Sequence, residues 1–275
     1  MRETFSYYPG CWLDGSARMY GESVEAVFET LGVGLEELPG WNCCGAASAR
    51  QVSPKAGRAL AQSNLRIAAE TGKPLVVPCA ICYANLLAGR GTDGGRSVEV
   101  LHPLEVLCEP GALVELRART AEPLAGFKVA CYYGCLLTRP PAPVQIEDVD
   151  NPLAMERILE VLGAETVDWP AKTSCCGAAL GEADEKSALE LVGEIILSAE
   201  DAGANCIAVA CPLCHRNLDV RQFEASRVLR RKIELPVFYF TELAAVAFDL
   251  PQTESWLKRH LTTVFPLIDE VLGFE

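Results

Sequence analysis

The chain has 275 residues, a formal charge of −13 at neutral pH, and half of its residues are hydrophobic. That length suits two smaller domains better than one compact core, and the negative charge repels phosphate backbones, which argues against nucleic acid as a partner. No apolar run approaches the ~20 residues of a membrane span, and the opening MRETFSYYPGC lacks the apolar stretch of a secretory signal. The expectation is a cytoplasmic protein, peripheral to a membrane only through partner subunits and not inserted directly.

In chain order, SVEAVFETLG (residues 23–32) places apolar residues at helical spacing and stops at Gly32, a common terminator. KPLVVPC (73–79) is a short β-branched run that reads as a buried strand ending at Cys79, and CYANLLAG (82–89) follows with helical character. GRGTDGG (89–95) has glycines but no phosphate-loop lysine, so it reads as a loop. ARTAEPLAGF (118–127) is polar and carries Pro and Gly, which makes it the boundary between residues 1–120 and 121–275. FKVACYYGC (127–135) predicts another strand ending at a cysteine, and RPPAPVQIEDVDNP (139–152) a proline-rich loop. PLAMERILEVLG (152–163) predicts a helix, NCIAVAC (205–211) a buried strand, CHRNLDVRQFEASRVLRRK (214–232) a helix, and PVFYFTELAAVAFDL (236–250) a strand running into a helix. Strands alternating with helices predict two α/β units, each a small mostly parallel sheet flanked by helices.

Thirteen cysteines in a chain without a signal read as metal-binding or redox-active. Ten of them form two sets. Cys11, Cys43, Cys44, Cys79 and Cys82 are answered by Cys135, Cys175, Cys176, Cys211 and Cys214, and from Cys43 onward the offset is a constant 132. The same offset carries Asn85-Leu86 onto Asn217-Leu218, and PGC at 9–11 answers YGC at 133–135. Self-similarity over half the chain means one unit duplicated. Each CxxC falls at a strand-to-helix turn, where sites form in α/β units. Thiolates select zinc, copper(I) or iron–sulfur clusters. Four sulfurs would satisfy a zinc ion, which keeps zinc at one or both sites open, but each set has five. The side chains of an adjacent Cys-Cys pair diverge, which suits a larger object with several metal atoms, and Gly45 and Gly177 allow a tight turn beside it.

The pattern of Cys, long gap, Cys-Cys-Gly, gap and CxxC, repeated, resembles the CCG-domain family over essentially the whole chain. Within it, two complete copies resemble the B subunits of heterodisulfide reductases, as do YYGCLLTRP and DNPLAMERILEVLGAE. The resemblance implies two CCG domains related by a pseudo-twofold, with a noncubane [4Fe-4S] cluster on each five-cysteine set. It implies cleavage of a small disulfide, of the coenzyme M–coenzyme B type or a related sulfur compound, in a cavity between the domains. It also implies two partners from the same complex, one ferredoxin-like (the C subunit) and one flavin-containing (the A subunit). The alternative within the family is a non-catalytic electron-transfer subunit of a larger oxidoreductase.

The remaining residues have plainer readings. Cys108, Cys131 and Cys206 have no counterpart in the repeat and read as buried free thiols. His215, next to Cys214, is the candidate proton donor to product thiolates because histidine titrates near neutrality; the plain alternative is a helix-start residue. His102 and His260 read as structural. Tyr7, Tyr8, Tyr132 and Tyr133 read as core before cavity lining, and Arg139 and Arg216 as solvated surface before anion ligands.

Overall fold

In the computed structural model, residues 2–90, 98–139, 148–181 and 183–273 are described. Of the expected loop at 89–95, Gly89 ends the helix Ala80–Gly89 and residues 91–95 lie outside them, as does most of the proline-rich stretch at 139–152.

The first repeat builds strands β1 (Thr4–Tyr7), β2 (Gly34–Glu37), β3 (Leu75–Val76) and β4 (Val100–Leu101), in the spatial order β2-β1-β3-β4. The second builds β5 (Lys128–Tyr132), β6 (Glu165–Thr166), β7 (Cys206–Val209) and β8 (Val237–Tyr239), in the order β6-β5-β7-β8. Every pairing is parallel. Tyr7 sits opposite Val76 as Tyr132 sits opposite Val209, so the two sheets share one topology. The central strands β3 and β7 are buried along their whole length, as covered parallel strands must be, while the edges β2 and β6 are largely exposed.

This strand order fixes the place of the site. The chain leaves β1 toward one side of the sheet and β3 toward the other, so a crevice opens between their carboxyl ends. Cys11 follows β1 and Cys79 follows β3; Cys135 follows β5 and Cys211 follows β7. The Cys-Cys doublets arrive on the loops after β2 and β6.

Helices Arg18–Thr30 and Ala154–Val161 occupy the regions expected for them. The expected helix over 214–232 is two helices, Pro212–Val220 and Gln222–Leu229. The Gln222 amide group is tied to the carbonyls of Leu218 and Leu235 and to the Leu235 amide, which binds the second helix to the approach of β8. Arg230, in the left-handed conformation, ends it. At the start of the helix Phe240–Ala247 the Tyr239 N–H donates to Glu242 Oε2 at 2.8 Å, so the glutamate that interrupts this apolar stretch seals the strand-to-helix turn.

The repeats pack through a buried seam. Tyr20 of the first repeat stacks on Tyr239 of the second at 4.2 Å, and Ser23 Oγ lies 2.6 Å from Thr241 Oγ1. Residues from both halves form one continuous core. No helix among the described residues is long and apolar enough to cross a membrane.

Candidate metal centres

In each repeat the structure brings the sulfurs together from three separate segments. In the first, Cys43 lies 3.8 Å from Cys11 and Cys44 lies 3.2 Å from Cys82. In the second, Cys175 lies 3.7 Å from Cys135 and Cys176 lies 3.7 Å from Cys214. The doublet splits in both: its first sulfur meets the cysteine after the leading strand, and its second meets the last cysteine of CxxC. Neighbouring side chains diverge and each finds a different partner, as the adjacent pair predicted.

Crowding splits the thiols into donors and acceptors. Cys44 is pulled down to about 6, first by a hydrogen bond from the Cys82 thiol, then by the Ala46 amide and Asn85, against burial. Cys175 is pulled down to about 6, first by the Cys135 thiol, then by the Gly177 amide and Arg139. Their partners move the other way: Cys82 is raised by its bonds to Cys44 and Cys79, and Cys135 by its bond to Cys175 and by burial. These are thiols sharing protons, which a metal displaces on binding.

The backbone is shaped around the sulfurs. Gly45 N–H donates to Cys43 Sγ at 3.4 Å, and Gly177 N–H to Cys175 Sγ at 3.5 Å. Gly10 and Gly134 hold φ of +68° and +67°, and a Cβ there would stand 3.0 Å from Cys82 Sγ and 2.9 Å from Cys214 Sγ. Sequence reasoning took PGC and YGC as markers of the repeat; the structure shows that their glycines make room for the fifth sulfur, the last cysteine of CxxC.

Four further side chains position the doublets. Asn85 Nδ2 donates to the carbonyls of Cys44 (3.4 Å) and Ala46 (2.9 Å), and Asn217 Nδ2 to the Cys176 carbonyl (2.7 Å). Tyr8 OH donates to the Asn42 carbonyl at 2.7 Å, and Tyr132 OH to the Ser174 carbonyl at 2.6 Å. The shared offset of Asn85 and Asn217 was the signal that could have found the first pair; the tyrosines look like any buried aromatic until their hydroxyls are traced.

The sites differ in exposure. Cys11 and Cys43 are exposed and Cys135 and Cys175 half-buried, whereas Cys44, Cys79, Cys82, Cys176, Cys211 and Cys214 are buried. Each centre thus has an outer edge and an inner face against the seam. Cys131 and Cys206 are buried inside β5 and β7, and Cys108 is partly buried at the end of a short helix.

The model of the cysteine-rich CCG domain matches residues 5–87 and again 129–219. The chain belongs to the CCG family. The 8-methylmenaquinol:fumarate reductase membrane anchor subunit of Wolinella succinogenes is 31% identical over 95% of this chain and 98% of its own length. The B subunit of the Ferredoxin/F(420)H(2)-dependent CoB-CoM heterodisulfide reductase of Methanosarcina acetivorans is 26% identical over 93% of this chain and 92% of its own. A crystal structure of a hypothetical protein from Helicobacter pylori superposes with a TM-score of 0.75 at 15% identity; it covers 96% of this chain, which spans 53% of that one, and shares the fold.

The residues of this CCG protein fit a cluster. The donor set is thiol only, five per centre, one more than a tetrahedral zinc ion takes. Glycines stand where a Cβ would crowd the sulfurs. His215 is turned away from such chemistry: its ring is buried, stacks on Tyr239 at 4.2 Å and points Nε2 at the Val237 carbonyl at 3.1 Å. Burial, then the neighbouring His260, push its pKa well below the ordinary value, so the ring is neutral. Arg216 lies over the Trp12 ring at 5.7 Å, a link between the repeats, and Arg139 reaches the Thr173 carbonyl at 3.4 Å beside Cys175.

Proposed function

We propose that this CCG protein is the iron–sulfur subunit of a multisubunit reductase. One noncubane [4Fe-4S] cluster is held by Cys11, Cys43, Cys44, Cys79 and Cys82, and a second by Cys135, Cys175, Cys176, Cys211 and Cys214. The observation that carries the reading is the pair of five-thiol sets, each gathered at a sheet switch point, with an outer edge that is exposed in the first set and half-buried in the second. When bound, such clusters supply one-electron transfer at each centre. The chain's own residues do the rest. Asn85 and Asn217 set the doublets, Gly10 and Gly134 keep space for the sulfurs, and the aromatic seam excludes water between the centres. We keep residues 1–120 and 121–275 as the two units.

In our reading the protein carries electrons between partner subunits in a reductase linked to a membrane quinol. The Wolinella succinogenes relative, which matches nearly end to end at the higher identity, supports this. A second reading is disulfide cleavage, with a small disulfide as substrate and with ferredoxin-like and flavin-containing partners of the heterodisulfide reductase kind. The accessibility of Cys11 and Cys43 and the position of Arg139 near Cys175 favour it. The proton-donor role expected of His215 has less support, because its one donor nitrogen is spent on a carbonyl; solvent at the exposed edges supplies protons more directly.

The test is anaerobic purification with metal and sulfide analysis, then low-temperature EPR with a menaquinol analogue or with thiol under oxidising conditions. Iron in both centres, reduced by quinol within the intact complex, supports the electron carrier. A paramagnetic signal that needs added thiol supports disulfide chemistry. Zinc without iron overturns both.

A further inference from the structure

Outside the cysteine sets, the second repeat gathers a different group of metal donors. One ring nitrogen of His215, one of His260 and a carboxylate oxygen of Glu242 all lie within 4.8 Å of one another, and all three residues are buried. They come from three segments: His215 from the helix Pro212–Val220, Glu242 from the helix that follows β8, and His260 from the stretch after the short helix Thr253–Leu257. The rings of His215 and His260 meet edge to face at 4.9 Å, and His260 Nε2 lies 3.2 Å from Glu242 Oε1. The Val237 carbonyl, 3.1 Å from His215 Nε2, adds an oxygen beside them.

The first repeat shows how the same position is satisfied by hydrogen bonds alone. Glu105 is the third residue of its helix, as Glu242 is of the helix after β8, and Tyr83 stands at the offset of 132 from His215. There the Tyr83 hydroxyl donates to Glu105 Oε2 at 2.8 Å, and the His102 N–H donates to the same oxygen at 2.6 Å. In the second repeat the phenol is gone. Glu242 keeps a backbone donor, the Tyr239 N–H on Oε2, but its other oxygen faces the His260 imidazole, with the His215 imidazole beyond. His260 Nδ1 is buried with no hydrogen-bond partner among the described residues. The charges are also uneven. Asp219 is buried and accepts from the amides of Leu261 and Thr262, each at 2.9 Å, which places His260. Among the buried described residues the only lysine or arginine is Lys172, which is engaged by Glu156. Histidine protons alone must offset the carboxylates of Glu242 and Asp219, whereas one divalent cation offsets both.

We propose that His215, His260 and Glu242 hold a zinc ion, a structural site separate from the two cysteine centres. Imidazole and carboxylate are both zinc ligands, and donors about 2.0–2.1 Å from a tetrahedral ion stand roughly 3.3 Å apart. The 3.2 Å between His260 Nε2 and Glu242 Oε1 already has that length. Tying the second oxygen of Glu242 to an amide orients the carboxylate as the outer shell of a metal site does. Buried ligands on every side mark a structural ion, since a catalytic one keeps an open position. Glu242 and His260 both lie beyond residue 219, where the second CCG match ends, so the ion fastens that last part of the chain to the helix that carries Cys214. The metal-free chain is left with the bare His260–Glu242 ion pair. The site is independent of what the cysteines hold.

The test is metal analysis and zinc-edge X-ray absorption of the full chain, purified anaerobically from cells grown with zinc. One zinc per chain with only nitrogen and oxygen neighbours is expected, whatever the iron content. Two variants locate it. His260→Gln removes one ligand, and His215→Tyr removes another while restoring the phenol that the first repeat uses. Each should take zinc to background and leave iron unchanged. Sulfur neighbours around the zinc would put it on the cysteines and overturn the site. Unaltered protein without zinc, or zinc retained in either variant, overturns it as well, and the unaltered protein decides should a variant fail to fold. Zinc with nitrogen and oxygen neighbours in a protein that lacks iron overturns the cluster reading and leaves this site standing.

Discussion

The two repeats share a topology and a set of sulfur pairings, yet they secure those pairings differently. In the second repeat the turn before Cys135 is fastened from beneath. The amides of Tyr133 and Gly134 donate to the Lys172 carbonyl, Lys172 Nζ sits 2.9 Å from Glu156 Oε1, and Tyr133 OH donates to the other oxygen of Glu156. Lys172 and Glu156 are both buried. In the first repeat Pro9 stands where Tyr133 would be, and the cysteines after the turn are exposed. The contrast teaches that a duplicated site tolerates different scaffolding as long as the sulfur positions are kept, and that the more open centre is the one with less beneath it.

The largest test of that contrast is Glu156→Leu. It leaves the Lys172 charge buried without its partner, and breaking such a pair costs about 3–5 kcal/mol. Urea denaturation should show the loss, and iron should leave the second centre first; equal loss from both centres would mean that the network supports the whole fold. Replacing both partners, Glu156→Leu with Lys172→Met, should recover most of the stability.

The seam offers the next test. Burial holds His102 down to about 4, against hydrogen bonds that favour its charged form. Its folded pKa thus lies below the unfolded value, so the unfolded chain binds the extra proton and stability falls as pH drops from about 6.5 toward 4. One such group contributes roughly 1.4 kcal/mol per pH unit across that window. His102→Asn, which can still cap the helix at Pro103, should flatten the acid limb of a stability–pH profile by one proton. An unchanged slope would show that His102 is not buried neutral.

Gly134→Ala and Gly10→Ala should cost about 1–2 kcal/mol each for a side chain at positive φ. Each should also lower iron at its own centre alone, read by metal analysis with EPR. The first-repeat change should be the milder in metal loss, because its outer sulfurs have open space to relax into.

The smallest effect runs the other way in pH. In the metal-free chain burial is the largest influence on His260 and lowers its pKa, but the Glu242 carboxylate at 3.2 Å and Asp219 behind it together outweigh burial, and the net shift is upward. That pair's contribution is present below the unfolded histidine pKa and is lost as pH rises through the folded one. His260→Gln should remove a shallow alkaline decline in melting temperature, leaving the share of the acid limb that belongs to His102 intact.

Much of the fold was legible because of how deeply its central strands are buried. LVV before Cys79 and CIAV before Cys211 are β-branched runs without polar interruption, and each ends at a ligand candidate. The edge strands β2 and β6 were not legible: Gly34–Glu37 is charged and exposed, and Glu165–Thr166 is two residues long. The helix Pro54–Thr71 also escaped notice, because a sequence rich in Ala with few large apolar residues shows little apolar contrast, although the Ser53 cap and Pro54 mark its start. The cysteine sets were visible from spacing alone. The hydroxyls of Tyr8 and Tyr132 and the space kept by Gly10 and Gly134 become meaningful only when the two turns are seen against each other.

The seam also bears on how such a chain could have arisen. A single repeat burying this surface would have to pair with a copy of itself, and every residue on the twofold axis would then serve both centres identically. Joining the copies in one polypeptide removes that obligation. Tyr20 and His102, both from the first copy, now reach the carbonyls before both inner cysteines, and across the seam the capping position of His102 belongs to Tyr239. Fusion lets one half change without the other, and so gives a symmetric ancestor the means to acquire a direction.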